Sequence, residues 1–304
     1  MRIKPATASR IHQIPTVEVA CGAGARRKGS GEGPGEFRKS RDAALRCKGL
    51  ALAWQQMPRN LCAPELPPLQ AVAQTARWTA GITRRLTASG EKFVVIGGDH
   101  SCAIGTWSGV ADALRKSGPL GLIWIDAHMD MHVPETTHSG AINGMPVASL
   151  LGCGAPELTS VAENGPALHP HHICLVGTRS FEREEVEFAE RFAVRVIGMK
   201  EVRVRGIDAT LAEAHEIASS GTAGYGVSLD LDAFDPAEAP AVGTPEPGGI
   251  LPAAIFDAWR ELCRDPKCLG IEIVEYNPSL DDSGRTARLM EDFVSASLRQ
   301  ESAP

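Results

Sequence analysis

The chain has 304 residues, of which 43% are hydrophobic and 22% charged, and a net charge of −6. That is an ordinary globular composition, long enough for one large α/β domain or two small ones, and it leaves no basic footprint for nucleic acid. No run of about 18 apolar residues is present to span a membrane. Residues 1–15 lack a signal-peptide core, so a cytoplasmic protein with a loosely ordered N-terminus is expected.

In chain order, residues 16–21 are β-rich and run into a glycine-rich loop at 22–35. The loop lacks the Lys-Ser/Thr ending of a phosphate-binding loop, so it is read as a functional rim loop. Helix is expected over 36–46, a short strand over 49–54 and a proline-rich loop over 58–68. Apolar residues Leu69, Val72, Ala73, Ala76, Ala80, Ile82 and Leu86 recur at helical spacing, which predicts a helix over 69–89. Strands and helices then alternate. Strands are expected at 93–96, 120–125, 173–176, 194–197, 226–231 and 269–274. Helices are expected at 104–116, 145–151, 182–192, 208–219, 252–264 and 284–298. Eight strands alternating with helices imply a three-layer α/β/α domain around a largely parallel sheet. No linker or repeat divides the chain, so one domain is expected over 1–304.

Eight cysteines, at 21, 47, 62, 102, 153, 174, 263 and 268, are scattered and sit mostly in apolar surroundings. Cys263 and Cys268 have no second pair to complete a zinc site. Reduced cysteines, mainly in the core, are the expectation.

In parallel sheets ligands bind beyond the carboxyl ends of the strands. Four of the expected strands end in polar clusters. Gly97-Gly98-Asp99-His100-Ser101 follows one, and Asp126-Ala127-His128-Met129-Asp130 follows another. Asp230-Leu231-Asp232 ends a third, and Glu275-Tyr276-Asn277-Pro278-Ser279 follows the fourth. A lone Asp-x-Asp could be a helix cap, but capping does not account for the set. If the chain stays extended, the aspartates and histidine spaced by two share a face. Mixed imidazole and carboxylate ligands suit Mn, Fe, Co, Ni or Zn, and the oxygen-rich balance leans toward Mn. Six ligands are too many for one ion with an open position. They suit two ions roughly 3.5–4 Å apart that share carboxylates and activate a water.

At these residues the chain resembles the ureohydrolase (arginase–agmatinase) family. The matching stretches are Gly97-Gly98-Asp99-His100-Ser101, Asp126-Ala127-His128-x-Asp130 and Ser228-x-Asp230-x-Asp232-x-x-Asp235-Pro236. Within the family it is most like bacterial arginases, through Thr136-Thr137-x-Ser139-Gly140, Gly243-Thr244-Pro245 and Glu275-x-Asn277-Pro278-Ser279. The resemblance implies an eight-stranded parallel sheet, two Mn2+ ions per chain (Ni2+ or Co2+ being alternatives) and a homotrimer or hexamer. It also implies hydrolysis of a small guanidino substrate to urea by a metal-bridging hydroxide, first of all L-arginine to L-ornithine. Agmatine, guanidinobutyrate or a similar compound is the alternative substrate. One ion would take His100, Asp126, Asp130 and Asp230; the other would take Asp126, His128, Asp230 and Asp232, with Asp126 and Asp230 bridging. Glu275 would hold the guanidinium, and Asp130 would relay a proton. Thr137, Ser139, Glu182 and Thr244 would meet the rest of the substrate, Glu182 facing its α-amino group.

The chain departs from the pattern on the substrate side. Asn143 stands where arginases carry a histidine, and it can position but not shuttle a proton. A weakly active or non-catalytic homologue is one reading of that change. Another is that His132 or His138 supplies the titrating group. His132 and Ala141 stand where arginases offer asparagines to the substrate carboxylate. A mononuclear zinc amide hydrolase on a similar scaffold is a third reading, separable by metal stoichiometry.

Overall fold

A computed structural model describes residues 13–298, so residues 1–12 of the expected loose N-terminus lie outside the described residues. Residues 13–15 open the first strand. The strands are β1 (Gln13–Val19), β2 (Ala51–Gln56), β3 (Phe93–Gly97), β4 (Leu120–Ile125), β5 (Ile173–Thr178), β6 (Arg195–Gly198), β7 (Gly224–Asp230) and β8 (Cys268–Val274). They form one sheet in the order β2-β1-β3-β8-β7-β4-β5-β6, and every pairing is parallel.

Ten α-helices connect them: α1 (Gly33–Cys47), α2 (Pro68–Ala88), α3 (Ala103–Leu114), α4 (Pro146–Leu150), α5 (Pro156–Thr159), α6 (Arg183–Phe192), α7 (Met199–Arg205), α8 (Ile207–Ser219), α9 (Pro252–Arg264) and α10 (Arg285–Leu298). Strand alternation sorts the core onto two faces. Ile123 and Ile125 of β4 pack in one cluster with Phe37 of α1, Leu211 of α8, Trp259 of α9 and Phe293 of α10. Leu120, Leu122 and Trp124 pack in the other with Ile82 of α2, Trp107 of α3 and Leu150 of α4. The sheet is thus covered on both sides, as its near-continuous apolar strands require.

Several local expectations shift. The second strand starts at Ala51, because Gly49 has φ 81° and turns the chain after α1. The proline-rich stretch contains a single 3-10 turn, Arg59–Cys62. The seven-residue α7, which directly follows β6, has no counterpart among the expected helices. The expectation of reduced cysteines fails for one pair: Cys21 and Cys62 form a disulfide, with Cα atoms 5.6 Å apart. The parallel pairing of β1 with β2 returns the Arg59–Cys62 turn to the end of β1, a proximity that a sequence separation of 41 conceals. Of the others, Cys102, Cys174, Cys263 and Cys268 are buried, Cys47 is exposed and Cys153 is half-buried.

Candidate active site and metal centre

The four strands with polar ends, β3, β8, β7 and β4, are consecutive in the sheet. Their carboxyl ends therefore meet side by side. The expectation that Asp126, His128 and Asp130 share a face of an extended chain does not hold. β4 stops at Ile125, and Asp126 Oδ1 accepts the His128 N–H at 2.7 Å, folding the chain into a turn. Asp130 then adopts φ 55°, a left-handed conformation unusual for a non-glycine residue. A similar turn follows β7, where Asp230 Oδ1 accepts the Asp232 N–H at 2.8 Å. The aspartates thus converge through turns rather than by alternation.

Two groups of ligand atoms result at these strand ends, besides a third of His132, Glu182 and Glu185. His100, Asp126 and Asp230 form one; Asp126, His128 and Asp232 form the other. His100 Nδ1 lies 3.0 Å from Asp126 Oδ2, 3.3 Å from Asp130 Oδ2 and 3.1 Å from Asp230 Oδ2. His128 Nδ1 lies 3.5 Å from Asp126 Oδ1 and 3.2 Å from Asp232 Oδ2. The two oxygens of Asp126 thus face different histidines, the arrangement of a bridging carboxylate. Asp230 turns Oδ2 to His100 and Oδ1 to the Asp232 turn.

Supporting residues fix these orientations. Ser228 donates to Glu272 Oε2 at 2.8 Å and so accepts from His100 Nε2 at 3.0 Å. The Nε2 proton is thereby committed to Ser228, which leaves Nδ1 as the ring atom turned toward the carboxylates and open to an ion. Trp124 donates to Asp126 Oδ2 at 2.9 Å, and its ring stacks on His100 at 4.0 Å. Both His100 Nδ1 and Asp130 Oδ2 are buried without a hydrogen-bond partner. Buried polar atoms without partners are costly in a dry site, and divalent cations resolve that cost. The donor set fits two such ions.

Electrostatics carry the same signature. Burial opposes charge on Asp126, but hydrogen bonds from His100 and His128 outweigh it and hold its carboxyl below the ordinary range. Burial, then the neighbouring Asp126, push Asp130 well up. Burial, then Asp232 and Asp126, do the same to Asp230. Burial also raises Asp232. Burial disfavours charge on His100, yet Asp126 and Asp230 raise its proton affinity well above that of a free imidazole.

Glu275 follows β8 with φ 68°. Its Oε1 accepts from the His100 backbone N–H at 2.9 Å and from Asn143 Nδ2 at 3.0 Å. Burial, with Asp99 adding to it, pushes this carboxyl up to about 7. These residues line a cavity of about 440 Å³ whose rim carries Arg26, Arg27, His138, Ser139, Glu182, Gly243 and Thr244. That volume suits a small ligand. Another hollow of similar size, lined by Lys92 and Cys263, opens at the amino-terminal ends of β1, β3 and β8, away from these groups.

The remaining sequence candidates divide. His132 is buried, with Nδ1 3.1 Å from Thr136 Oγ1 and Nε2 3.0 Å from Glu182 Oε2. Both ring nitrogens are taken. His138 is exposed on the rim, 3.6 Å from Glu184. Thr137 and Ser139 hydroxyls accept the N–H groups of Gly140 and Ala141. Sequence reasoning passed over four supports. Trp124 and Glu272 lie inside strands and look like core positions. Arg179 donates to the carbonyls of Asp232 and Glu246, each at 2.7 Å, clamping the loop after β7. Glu185 accepts from the N–H groups of Met131 and Glu182. A glutamate and a tryptophan in apolar strands beside a polar strand end were the available signals.

The arginase family profile matches residues 13–298. The chain belongs to the arginase family. Among relatives, the arginase of Bacillus caldovelox is 38% identical over 219 residues, 72% of each chain. That of Brucella melitensis is 33% identical over 284 residues, 90% of this chain and 92% of the relative. The crystal structure of an arginase from Bacillus subtilis superposes with a TM-score of 0.86 at 30% identity, covering 95% of this chain and 99% of that one. The family and its arginases make this chain a metal-dependent amidinohydrolase with an arginase-like α/β fold.

Proposed function

We propose that the chain is a binuclear manganese arginase that hydrolyses L-arginine to L-ornithine and urea. The observation that carries this reading is the pair of ligand groups sharing Asp126, with Glu275 beside them. His100, Asp126, Asp130 and Asp230 would hold one ion, and Asp126, His128, Asp230 and Asp232 the other. When bound, the two ions supply an activated water and neutralise the clustered carboxylates.

The chain's own residues supply the rest. Glu275 is held through Oε1, and a Cβ on Gly243 would come within 3.4 Å of its Oε2. That second oxygen thus lies toward the rim and pairs with the guanidinium N–H groups. Water adds to the guanidinium carbon, and the C–N bond to the alkyl amine breaks. Asp130 accepts one proton that water releases and passes it to the departing nitrogen, which leaves as the amine; the remaining hydroxyl proton follows it, giving ammonium and neutral urea. Asn143 cannot titrate and instead keeps Glu275 oriented. Thr137, Ser139, Glu182 and Thr244 meet the amino-acid end of the substrate. The whole chain acts as one ureohydrolase domain, and we expect a cytoplasmic homotrimer or hexamer.

The test is urea release from L-arginine by protein loaded with Mn2+, with metal counted in parallel. Urea formation with about two ions per chain is expected. One ion per chain, or amide hydrolysis without urea, overturns the reading. Sedimentation or light scattering checks the oligomer.

A further inference from the structure

Arg179 stands just past the carboxyl end of β5 and joins two turns that reach the site from different strands. Its backbone N–H donates to the Ala127 carbonyl at 2.8 Å, and that of Ser180 donates to the same oxygen at 3.1 Å. Ala127 lies between Asp126 and His128, in the turn after β4. The guanidinium reaches the other way. Nη2 donates to the carbonyls of Asp232 at 2.7 Å and Phe234 at 3.2 Å, and Nη1 to that of Ala233 at 3.2 Å. These are three successive carbonyls of the short turn after β7. Nη2 also donates to the Glu246 carbonyl at 2.7 Å, and Nε to that of Pro247 at 3.2 Å. A Cβ on Gly249 would lie 2.6 Å from Nη2, so the glycine leaves room for the fork.

The two aspartates at the end of β7 are held differently. Asp230 is in register with Val274 of β8, so the sheet fixes its backbone. Asp232 lies beyond the strand, in the 3-10 turn Leu231–Ala233. Asp230 caps its N–H, while its carbonyl and the next two are gathered by Arg179. A fan of carbonyls needs several donors in fixed directions on one plane, which an arginine supplies and a lysine does not. Among the described residues, none of the Arg179 side-chain bonds reaches His100, Asp130 or Asp230.

We propose that Arg179 is a positioning residue that sets the affinity for one ion of the pair, the one assigned to Asp126, His128, Asp230 and Asp232, by fixing Asp232. The proposal rests on the binuclear reading above. The ion assigned to His100, Asp126, Asp130 and Asp230 does not use Asp232. Loosening the turn after β7 therefore weakens one position and leaves the other intact.

The experiment titrates metal-free R179K, R179M and unsubstituted protein with Mn2+ by calorimetry. Electron paramagnetic resonance of the loaded samples then separates a coupled pair of Mn2+ ions from a lone one. R179K keeps the charge but loses the fork; R179M loses both. In each variant one ion should bind as in the unsubstituted protein and the second about 10–100-fold more weakly, the range for outer partners of metal ligands. At Mn2+ concentrations that fill both positions of the unsubstituted protein, the coupled signal should give way to that of a lone ion. R179K carries the test should R179M fail to fold. Both ions weakened alike, or two ions bound as tightly as before with only the melting temperature lowered, overturns this proposal and leaves the binuclear reading standing. Fewer than two ions in the unsubstituted protein overturns that reading and this proposal with it.

Discussion

Two single residues carry consequences that do not follow from their type alone. Asn143 looks like a loss, since it replaces a titratable group, yet its amide donates to Glu275 Oε1 at 3.0 Å. A donor to a carboxylate favours the ionised form. Removing it in N143A should therefore raise the Glu275 pKa further above about 7. The acid limb of kcat/KM against pH should move to higher pH; a limb that stays put would show the contact to be idle. Glu272 sits fully buried in the middle of β8 and accepts hydrogen bonds from Ser228, Trp107 and Thr106. Through Ser228 it holds the Nε2 proton of His100. In E272Q the shape persists but the charge does not, and Mn2+ affinity should fall roughly 10–100-fold, as for outer partners of metal-bound histidines. Titration of metal-free protein with Mn2+ reads this directly.

At the scale of elements, the glycine-rich loop is what closes one wall of the site. Asp99 takes the Gly24 N–H on Oδ2 at 2.8 Å and the Ser101 N–H on Oδ1 at 2.9 Å. It therefore caps the turn after β3 and ties the loop to the exit of that strand. Gly24 in turn accepts the N–H groups of Ile142 and Asn143, so loop, β3 and the Asn143 turn form one unit. Gly98 is required because a Cβ there would collide with the Cys21 carbonyl. The Cys21–Cys62 bond anchors the start of the same loop. Unfolded without reductant, the protein should expose six thiols, and with reductant eight; eight in both conditions would contradict the bond. Closing a loop of 41 residues is worth about 4 kcal/mol in the chain-entropy picture.

For the whole molecule, the decisive quantity is the charge gathered at the centre of the sheet. Without metal, Asp130, Asp230, Asp232 and Glu275 hold protons above their ordinary range, and His100 and His128 do the same. The folded state then binds more protons than the unfolded one once pH exceeds the ordinary carboxylate range. Its stability falls as pH rises, through about 7 for Glu275. Asp126, held below its ordinary range, works the other way but is outnumbered. Chelated protein should thus lose thermal stability between about pH 5 and 8, and the gain from added Mn2+ should grow over that interval. A gain independent of pH would argue against a metal centre built on these carboxylates.

The sequence by itself determined the layered parallel fold and pointed to the acidic and histidine residues that gather at its strand ends. Both are written locally: apolar strands buried on two faces alternate with amphipathic helices, and charge in such strands is tolerated at their ends. What the sequence could not settle depends on contacts between distant segments. The Cys21–Cys62 bond, the pairing of His132 with Glu182, the Glu272–Ser228–His100 chain and the Arg179 clamp each join residues that no local pattern connects. The turn that curls Asp126, His128 and Asp130 together was also invisible, because period-two spacing reads as strand until β4 is seen to end at Ile125. Strand order decided the rest. Only when β3, β8, β7 and β4 lie side by side do four polar strand ends, scattered from residue 97 to residue 275, become one site.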